Sequence, residues 1–197
     1  TPKPSSAASD VYKRQGRVLA TTNALNQVSV NAYDDAGATT RTTAYNGLLT
    51  TSTFDKLGRA VSVVQSDSQA NRLGEAKSYY DADSRLRMTQ DALGNRQWYL
   101  YDEADRQVGQ VNALGQLTET VYNKAGQVTQ TIAYAALVNL PSLVDGNGLP
   151  TNVTLAQIRP TASAGDIQRW NAYDSAARLA KTVSPLGEVT ELSLIHI

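Results

Sequence analysis

Along the chain, stretches rich in threonine, valine, isoleucine and aromatics alternate with clusters of Asp, Asn, Ala and Gly. Gln97–Tyr101, Leu117–Tyr122 and Val128–Ile132 show the pattern, with the β-branched and aromatic residues that suit a pleated strand. The clusters recur every ten or eleven residues. Removing the turn residues leaves about six per stretch, or roughly 20 Å of strand. That rhythm predicts about eleven antiparallel strands between Gly16 and Ala133, joined by hairpin turns. Polar Thr, Gln and Arg fall on both alternating faces, and so do the aliphatics and tyrosines, which argues against a sandwich with one dry core. The pattern fits an all-β array of hairpins, wetted on both faces and forming part of a curved sheet or hollow shell.

A fixed anchor marks every second turn. An aromatic followed by Asp or Asn stands at Tyr33-Asp34, Phe54-Asp55, Tyr80-Asp81, Tyr101-Asp102, Tyr122-Asn123 and Tyr173-Asp174, with spacings of 21, 26, 21, 21 and 51. A weaker signal, Asp91-Ala92-Leu93-Gly94, Asn112-Ala113-Leu114-Gly115 and Ser184-Pro185-Leu186-Gly187, begins 11 residues after the preceding tyrosine. Asp or Asn at the first turn position bonds its own backbone two residues on, and a glycine four after the aromatic supplies the left-handed conformation. Gly37, Gly58 and Gly126 occupy that place, while Ser84, Asp105 and Ala177 replace it in other copies. Ala177 in a left-handed conformation costs about 1 to 2 kcal/mol, so a rearranged turn is expected there.

The 51-residue gap places an insertion at about residues 135–169. Leu140-Pro141, Asp145-Gly146-Asn147-Gly148 and Leu149-Pro150 punctuate turns, and Thr154–Ile158 predicts a short helix ended by Pro160. It is expected to decorate one rim of the array, with no domain boundary, because insertions in repeat arrays map to loops.

Both ends read as foreign. Asp10–Gln15 (DVYKRQ) is the translation of GATGTGTATAAGAGACAG, and Leu192–Ile197 (LSLIHI) that of its reverse complement. The pair resembles the ends of transposase-made sequencing libraries, so residues 1–15 and 192–197 are assigned to adapter and residues 16–191 to the repeat segment. That segment is expected to be a piece of a longer protein. It carries 15 basic and 17 acidic residues, the 18 and 18 of the chain less Lys3, Lys13, Arg14 and Asp10. A near-neutral chain without a basic cluster lacks the footprint for nucleic acid or anionic membrane. No apolar run approaches a membrane helix. Cysteine is absent and the one histidine, His196, lies in the adapter, which removes disulfides, thiolate zinc sites and histidine catalysis.

The motif Tyr-Asp-x-x-Gly-Arg-Leu at a spacing of about twenty resembles the YD or RHS repeat. FDKLGRA (Phe54–Ala60), YDADSRL (Tyr80–Leu86) and YDSAARL (Tyr173–Leu179) lie nearest to it, and the resemblance spans residues 16–191. It implies a long sheet spiralling into a hollow shell, as in bacterial polymorphic toxins, the shells of insecticidal toxin complexes and teneurins. It also implies a secreted or cell-surface location and a variable C-terminal toxin enclosed by the shell. The family's DPxG-type self-cleavage motif does not occur in this sequence.

The remaining candidates have plainer explanations. Asp102-Glu103-Ala104-Asp105 spells a helicase-like motif but falls on a repeat turn without a phosphate-binding loop. Asp145–Gly148 suggests calcium, yet it lacks the closing glutamate and reads as a turn. The recurring aspartates are what turns require rather than a glycosidase pair. Asn152-Val153-Thr154 matches a glycosylation sequon. The tyrosines, with Trp98 and Trp170, are able to stack on sugars or between neighbouring hairpins. The expectation is therefore a structural repeat segment with no catalytic residue, cofactor or metal. Its partners are the remaining repeats and an enclosed toxin domain, and the alternative is a glycan-binding or adhesive repeat. Unpaired strands at both ends also predict that the isolated array aggregates or folds marginally.

Overall fold

In the computed structural model, residues 9–12 and 16–192 are described. The adapter assignment lies for the most part outside them. The architecture is all-β: among the described residues 15 strands follow one another in sequence order without a crossover, and neighbours such as β2 and β3, β5 and β6, and β11 and β12 pair antiparallel. Eleven of these strands lie between Val18 and Ala133.

The chain divides into two compact units. The first holds β1 (Ser9–Tyr12), β2 (Val18–Thr22), β3 (Val28–Asp34), β4 (Thr39–Thr43), β5 (Leu49–Phe54), β6 (Ala60–Ser66) and β7 (Arg72–Tyr80) up to Ser78, together with the turn residues 90–95. Here β1 pairs with β2, although its residues read as adapter. Strand β4 reads Thr-Thr-Arg-Thr-Thr, which has no apolar face to bury. Leu49 is the one buried hydrophobic among the described residues of this unit, which is a sheet wetted on both faces.

The second unit holds β8 (Leu86–Gln90) up to Thr89, β9 (Arg96–Tyr101), β10 (Gln107–Val111), β11 (Leu117–Tyr122), β12 (Val128–Ala133), β13 (Ile167–Tyr173), β14 (Leu179–Val183) and β15 (Val189–Glu191). Its middle strands alternate: Trp98 pairs with Val111, Leu100 with Gly109, Val111 with Leu117 and Gly109 with Glu119, so one face gathers the large apolar residues. Met88, Trp98, Leu100, Val111 and Leu117 form a dry core with Tyr134, Val138, Leu143 and Leu155, all four from the insertion. Gly109 is glycine for want of space, since a Cβ there would stand 2.8 Å from Leu100 Cδ1 and 3.3 Å from Leu155 Cδ1.

Two expectations are corrected. The insertion, residues 134–166 between β12 and β13, does not decorate a rim; it folds over the sheet and covers its apolar face. For the same reason the second unit is not wetted on both faces. Periodicity had shown where the insertion sits, but not that Tyr134, Val138, Leu143 and Leu155 complement β8 to β11. Within it lie a 3-10 turn (Leu140–Leu143) and α1 (Leu155–Ile158), the short helix predicted from sequence. The Thr154 N–H donates to Gln157 Oε1 at 2.8 Å at the start of α1.

Candidate functional site

The residues singled out by periodicity lie at the hairpin turns, and one turn geometry recurs. In the Asp55 turn, the N–H of Asp55 donates to the carbonyl of Arg59 at 2.9 Å, and the N–H of Gly58 donates to the carbonyl of Asp55 at 3.0 Å. Its carboxylate Oδ1 accepts the N–H groups of Leu57 and Arg59 at 2.9 and 3.0 Å. The second oxygen accepts the Arg59 side chain at 2.7 Å. The same pattern holds at Asp81 with Arg85, Asp102 with Arg106 and Asp174 with Arg178. Asn123 with Gln127 is a neutral counterpart, bonded amide to amide at 2.8 Å. Asp145 uses the same backbone geometry inside the insertion, so the calcium-like stretch is a turn.

The fourth turn residue is left-handed in every copy of this geometry: Gly58 at φ 76°, Gly126 at 80°, Ser84 at 66°, Asp105 at 58° and Ala177 at 62°. The expected rearrangement at Ala177 does not occur, because its bonds to Asp174 and those of Asp174 to Arg178 match the other copies. Five retained hydrogen bonds outweigh one strained alanine. The first copy departs instead. Asp34 stays in β3 paired with Thr39, and the left-handed residue is Ala38 (φ 47°), not Gly37. The Gly37 N–H donates to Asp34 Oδ1 at 3.0 Å.

Four of the anchor tyrosines then reach back to the hairpin before them. The hydroxyl of Tyr33 donates to the carbonyl of Val18 at 2.8 Å, Tyr101 to Leu86 at 3.0 Å, Tyr122 to Gln107 at 3.0 Å and Tyr173 to Val128 at 2.9 Å. The acceptor is the first residue of the returning strand each time. Over three of these rings lies a guanidinium from the preceding hairpin: Arg17 over Tyr33 at 4.9 Å, Arg85 over Tyr101 at 5.3 Å and Arg106 over Tyr122 at 4.7 Å. Phe54 ends β5 in the same place without a hydroxyl, and Tyr80 ends β7 beside the Asp81 turn.

A second link was not among the sequence candidates. At three turns the residue four after the Asp or Asn extends to the next aromatic turn: Arg85 Nη1 to Asp105 Oδ1 at 2.7 Å, Arg106 Nη1 to the Asn123 carbonyl at 3.4 Å, and Gln127 Nε2 to the Ala177 carbonyl at 2.8 Å. The last of these spans the insertion. Arg59, Arg85, Arg106, Gln127 and Arg178 recur at one offset, and that recurrence was the available signal.

The insertion is fastened separately. Arg159 makes a two-pronged contact with Glu119, Nε to Oε2 at 2.8 Å and Nη2 to Oε1 at 2.7 Å, and the Tyr134 hydroxyl donates to Oε2 at 2.7 Å. Burial first, then its bond to Glu119, pushes the Tyr134 phenol up to about 12. Arg87 donates to the carbonyls of Thr151 and Val153 at 3.2 and 3.0 Å. Beside α1, an open groove of about 740 Å³ is lined by Tyr101, Arg106, Glu119, Tyr122, Leu155 and Arg159 among others. Tyr101, Arg106, Glu119, Tyr122 and Arg159 are already engaged in the turn and insertion contacts above. Periodicity had no means of finding these single, non-repeating pairs.

No family model matches the chain, and neither does any curated protein. Among solved structures, the Photorhabdus luminescens Tc holotoxin pore with a TccC3 mutation aligns with 90% of this chain at 11% identity and a TM-score of 0.44. TcdB2-TccC3 with Cdc42, and TcdB2-TccC3 without its hypervariable C-terminal region, each align with 94% at 12% identity and a TM-score of 0.40. This chain spans 13 to 14% of the length of those chains.

Proposed function

We propose that this chain is a structural segment of a large bacterial YD-repeat protein, a length of β-wall with no catalytic role. One observation carries the reading: the recurring polar residues are spent on joining one hairpin to the next. Tyr33, Tyr101, Tyr122 and Tyr173 bond the preceding hairpin through their hydroxyls, the Asp or Asn of the common geometry closes its own turn, and Arg85, Arg106 and Gln127 reach the following turn. A site that acts on a substrate would instead leave convergent groups unengaged. For glycans the rings of Tyr33, Tyr101 and Tyr122 offer little, because hydroxyl and one face are taken within the sheet. By its resemblance to the YD repeat, the parent is a secreted or surface protein whose wall encloses a C-terminal toxin domain.

The test is protease protection in the parent protein. Tyr101→Phe, Tyr122→Phe and Tyr173→Phe together are expected to loosen the wall and speed cleavage of whatever follows the array. Cleavage at the same rate in parent and variant, with the array measurably destabilised, would exclude a protective wall.

A further inference from the structure

Most of the insertion is poorly suited to cleavage by an endopeptidase, and one stretch of it is not. Between Lys124 and Arg169 the only basic residue is Arg159, and Pro160 follows it. Leu140 and Leu149 are likewise followed by Pro141 and Pro150. A proline just after a scissile bond lacks the N–H and fixes φ, so endopeptidases that select basic or large apolar side chains are resisted at those bonds. Leu143 and Leu155 are buried in the core, and Arg159 is held by Glu119.

Residues 161–165, Thr-Ala-Ser-Ala-Gly, are all exposed and lie outside every strand and helix. An endopeptidase takes its substrate as an extended strand, through the substrate's own backbone N–H and C=O groups, and exposed segments of small residues are where nicking concentrates. The N–H groups of Thr161, Ala162, Ala164 and Gly165 have no hydrogen-bond partner among the described residues. Ser163 is tied only to Asp166, through its N–H at 2.9 Å, its hydroxyl at 3.0 Å and its carbonyl at 3.2 Å. Exposed alanines elsewhere sit in closed turns: Ala104, Ala125 and Ala176 each donate the N–H to the Asp or Asn two residues before, at 2.9 Å. The short run at residues 135–137 is pinned at both ends, by the Ala135 N–H on Asp166 at 2.9 Å and the Val138 N–H on the Gly115 carbonyl at 2.8 Å.

We propose that residues 161–165 are a processing site, cut after Ala162 or Ala164 by an endopeptidase with a shallow pocket for small side chains, and that the nicked chain stays assembled. Water adds across the Ala162–Ser163 or Ala164–Gly165 amide, leaving a carboxylate on the alanine and an ammonium on the next residue. Both new ends remain fastened. Upstream, Leu155 lies in the core and Arg159 keeps its two-pronged contact with Glu119. Downstream, β13 pairs with β12 from Ile167 opposite Ala133 to Trp170 opposite Gln130. Gln130 Nε2 also donates to Gln168 Oε1 at 2.9 Å, and the Tyr173 hydroxyl to the Val128 carbonyl at 2.9 Å. The inference does not depend on the wall reading, because the cut leaves every tyrosine link untouched.

Brief digestion of the folded 197-residue chain with pancreatic elastase, followed by mass spectrometry of the products, tests it. Within residues 16–191 the first cut is expected after Ala162 or Ala164, about tenfold or more ahead of any cut after Ala104, Ala125 or Ala176, whose turns must open first. The two pieces should elute together in gel filtration and separate in urea. Ala162→Asp/Ala164→Asp, at exposed positions, should remove the cut while keeping the circular dichroism and unfolding midpoint of the parent. The proposal is overturned if the first cut falls in a turn or at residues 135–137, if the double aspartate variant is cut at residues 161–165 as fast as the parent, or if the nicked pieces part without denaturant.

Discussion

A phenol and a carboxylate hold different joints of the same hairpin, and substitution separates them. Tyr122→Phe removes the hydroxyl that donates to Gln107 at 3.0 Å and is expected to cost about 1 kcal/mol in denaturant unfolding. Tyr45→Phe, on a largely exposed ring, should cost nothing measurable. Ala177→Gly is expected to raise stability by about 1 kcal/mol, since the turn already holds φ at 62°. The carboxylates of Asp55, Asp102 and Asp174 are held below their usual range, Asp55 and Asp174 chiefly by the backbone N–H four residues on and Asp102 chiefly by the Arg106 side chain. A depressed folded pKa contributes stability above the unfolded value of about 3.9 and loses it as pH falls through the folded value. The array should therefore weaken in acid below about pH 4. Replacing these Asp–Arg pairs with Asn–Gln, as at Asn123–Gln127, should shrink that acid loss while preserving neutral-pH structure. Much of this was legible in sequence, because turn chemistry is local: Asp102, Asn123 and Gly126 declare their roles by spacing. Gly37 misled, since the left-handed residue of that turn is Ala38.

At the scale of elements, the insertion is where local pattern stops being informative. A break of thirty residues is visible as a lengthened interval, and α1 is visible through Thr154, Gln157 and Pro160. That Tyr134 and Arg159 converge on Glu119 is not visible, because the pairing joins residues 15 and 40 apart that occur once. Glu119 is buried, so its partner matters. Arg159→Leu leaves a buried carboxylate without its cation and is expected to cost about 3 kcal/mol, somewhat less than a fully enclosed pair because Arg159 is part exposed. Tyr134 reports on the same joint. Its folded pKa of about 12 lies above the unfolded value. The stabilisation is thus complete below about pH 10 and declines as pH rises towards the folded value. Ultraviolet titration should show the Tyr134 phenol ionising late, with Tyr101 also raised by its burial, and Glu119→Gln should bring Tyr134 earlier; an unchanged titration would separate Tyr134 from Glu119.

Considered whole, the chain shows two ways of stabilising a sheet of short strands. The first unit has almost no buried apolar side chain and depends on ladder bonds, turn closure and tyrosine links between neighbours. The second has the same links and adds a core, roofed by a segment that interrupts the repeat. The polar residues on both faces of the strands made the first arrangement readable from sequence; the apolar alternation in β9 to β11 was there too, but without a visible partner for it. Deleting residues 136–165 would return the Tyr122 to Tyr173 interval from 51 to 21 and leave Gln127 and Ala177 able to meet as adjacent turns. If the insertion were only a decoration, that shortened chain would fold as well as the parent. Because Val138, Leu143 and Leu155 cover Met88, Trp98, Leu100, Val111 and Leu117, the expected result is different. Trp98 emission should shift to the red, a hydrophobic dye should bind, and the unfolding midpoint should fall, since each large side chain returned to water forfeits about 1.5 to 3 kcal/mol. Unshifted emission with an unchanged midpoint would mean that the links between hairpins suffice in the second unit as they do in the first.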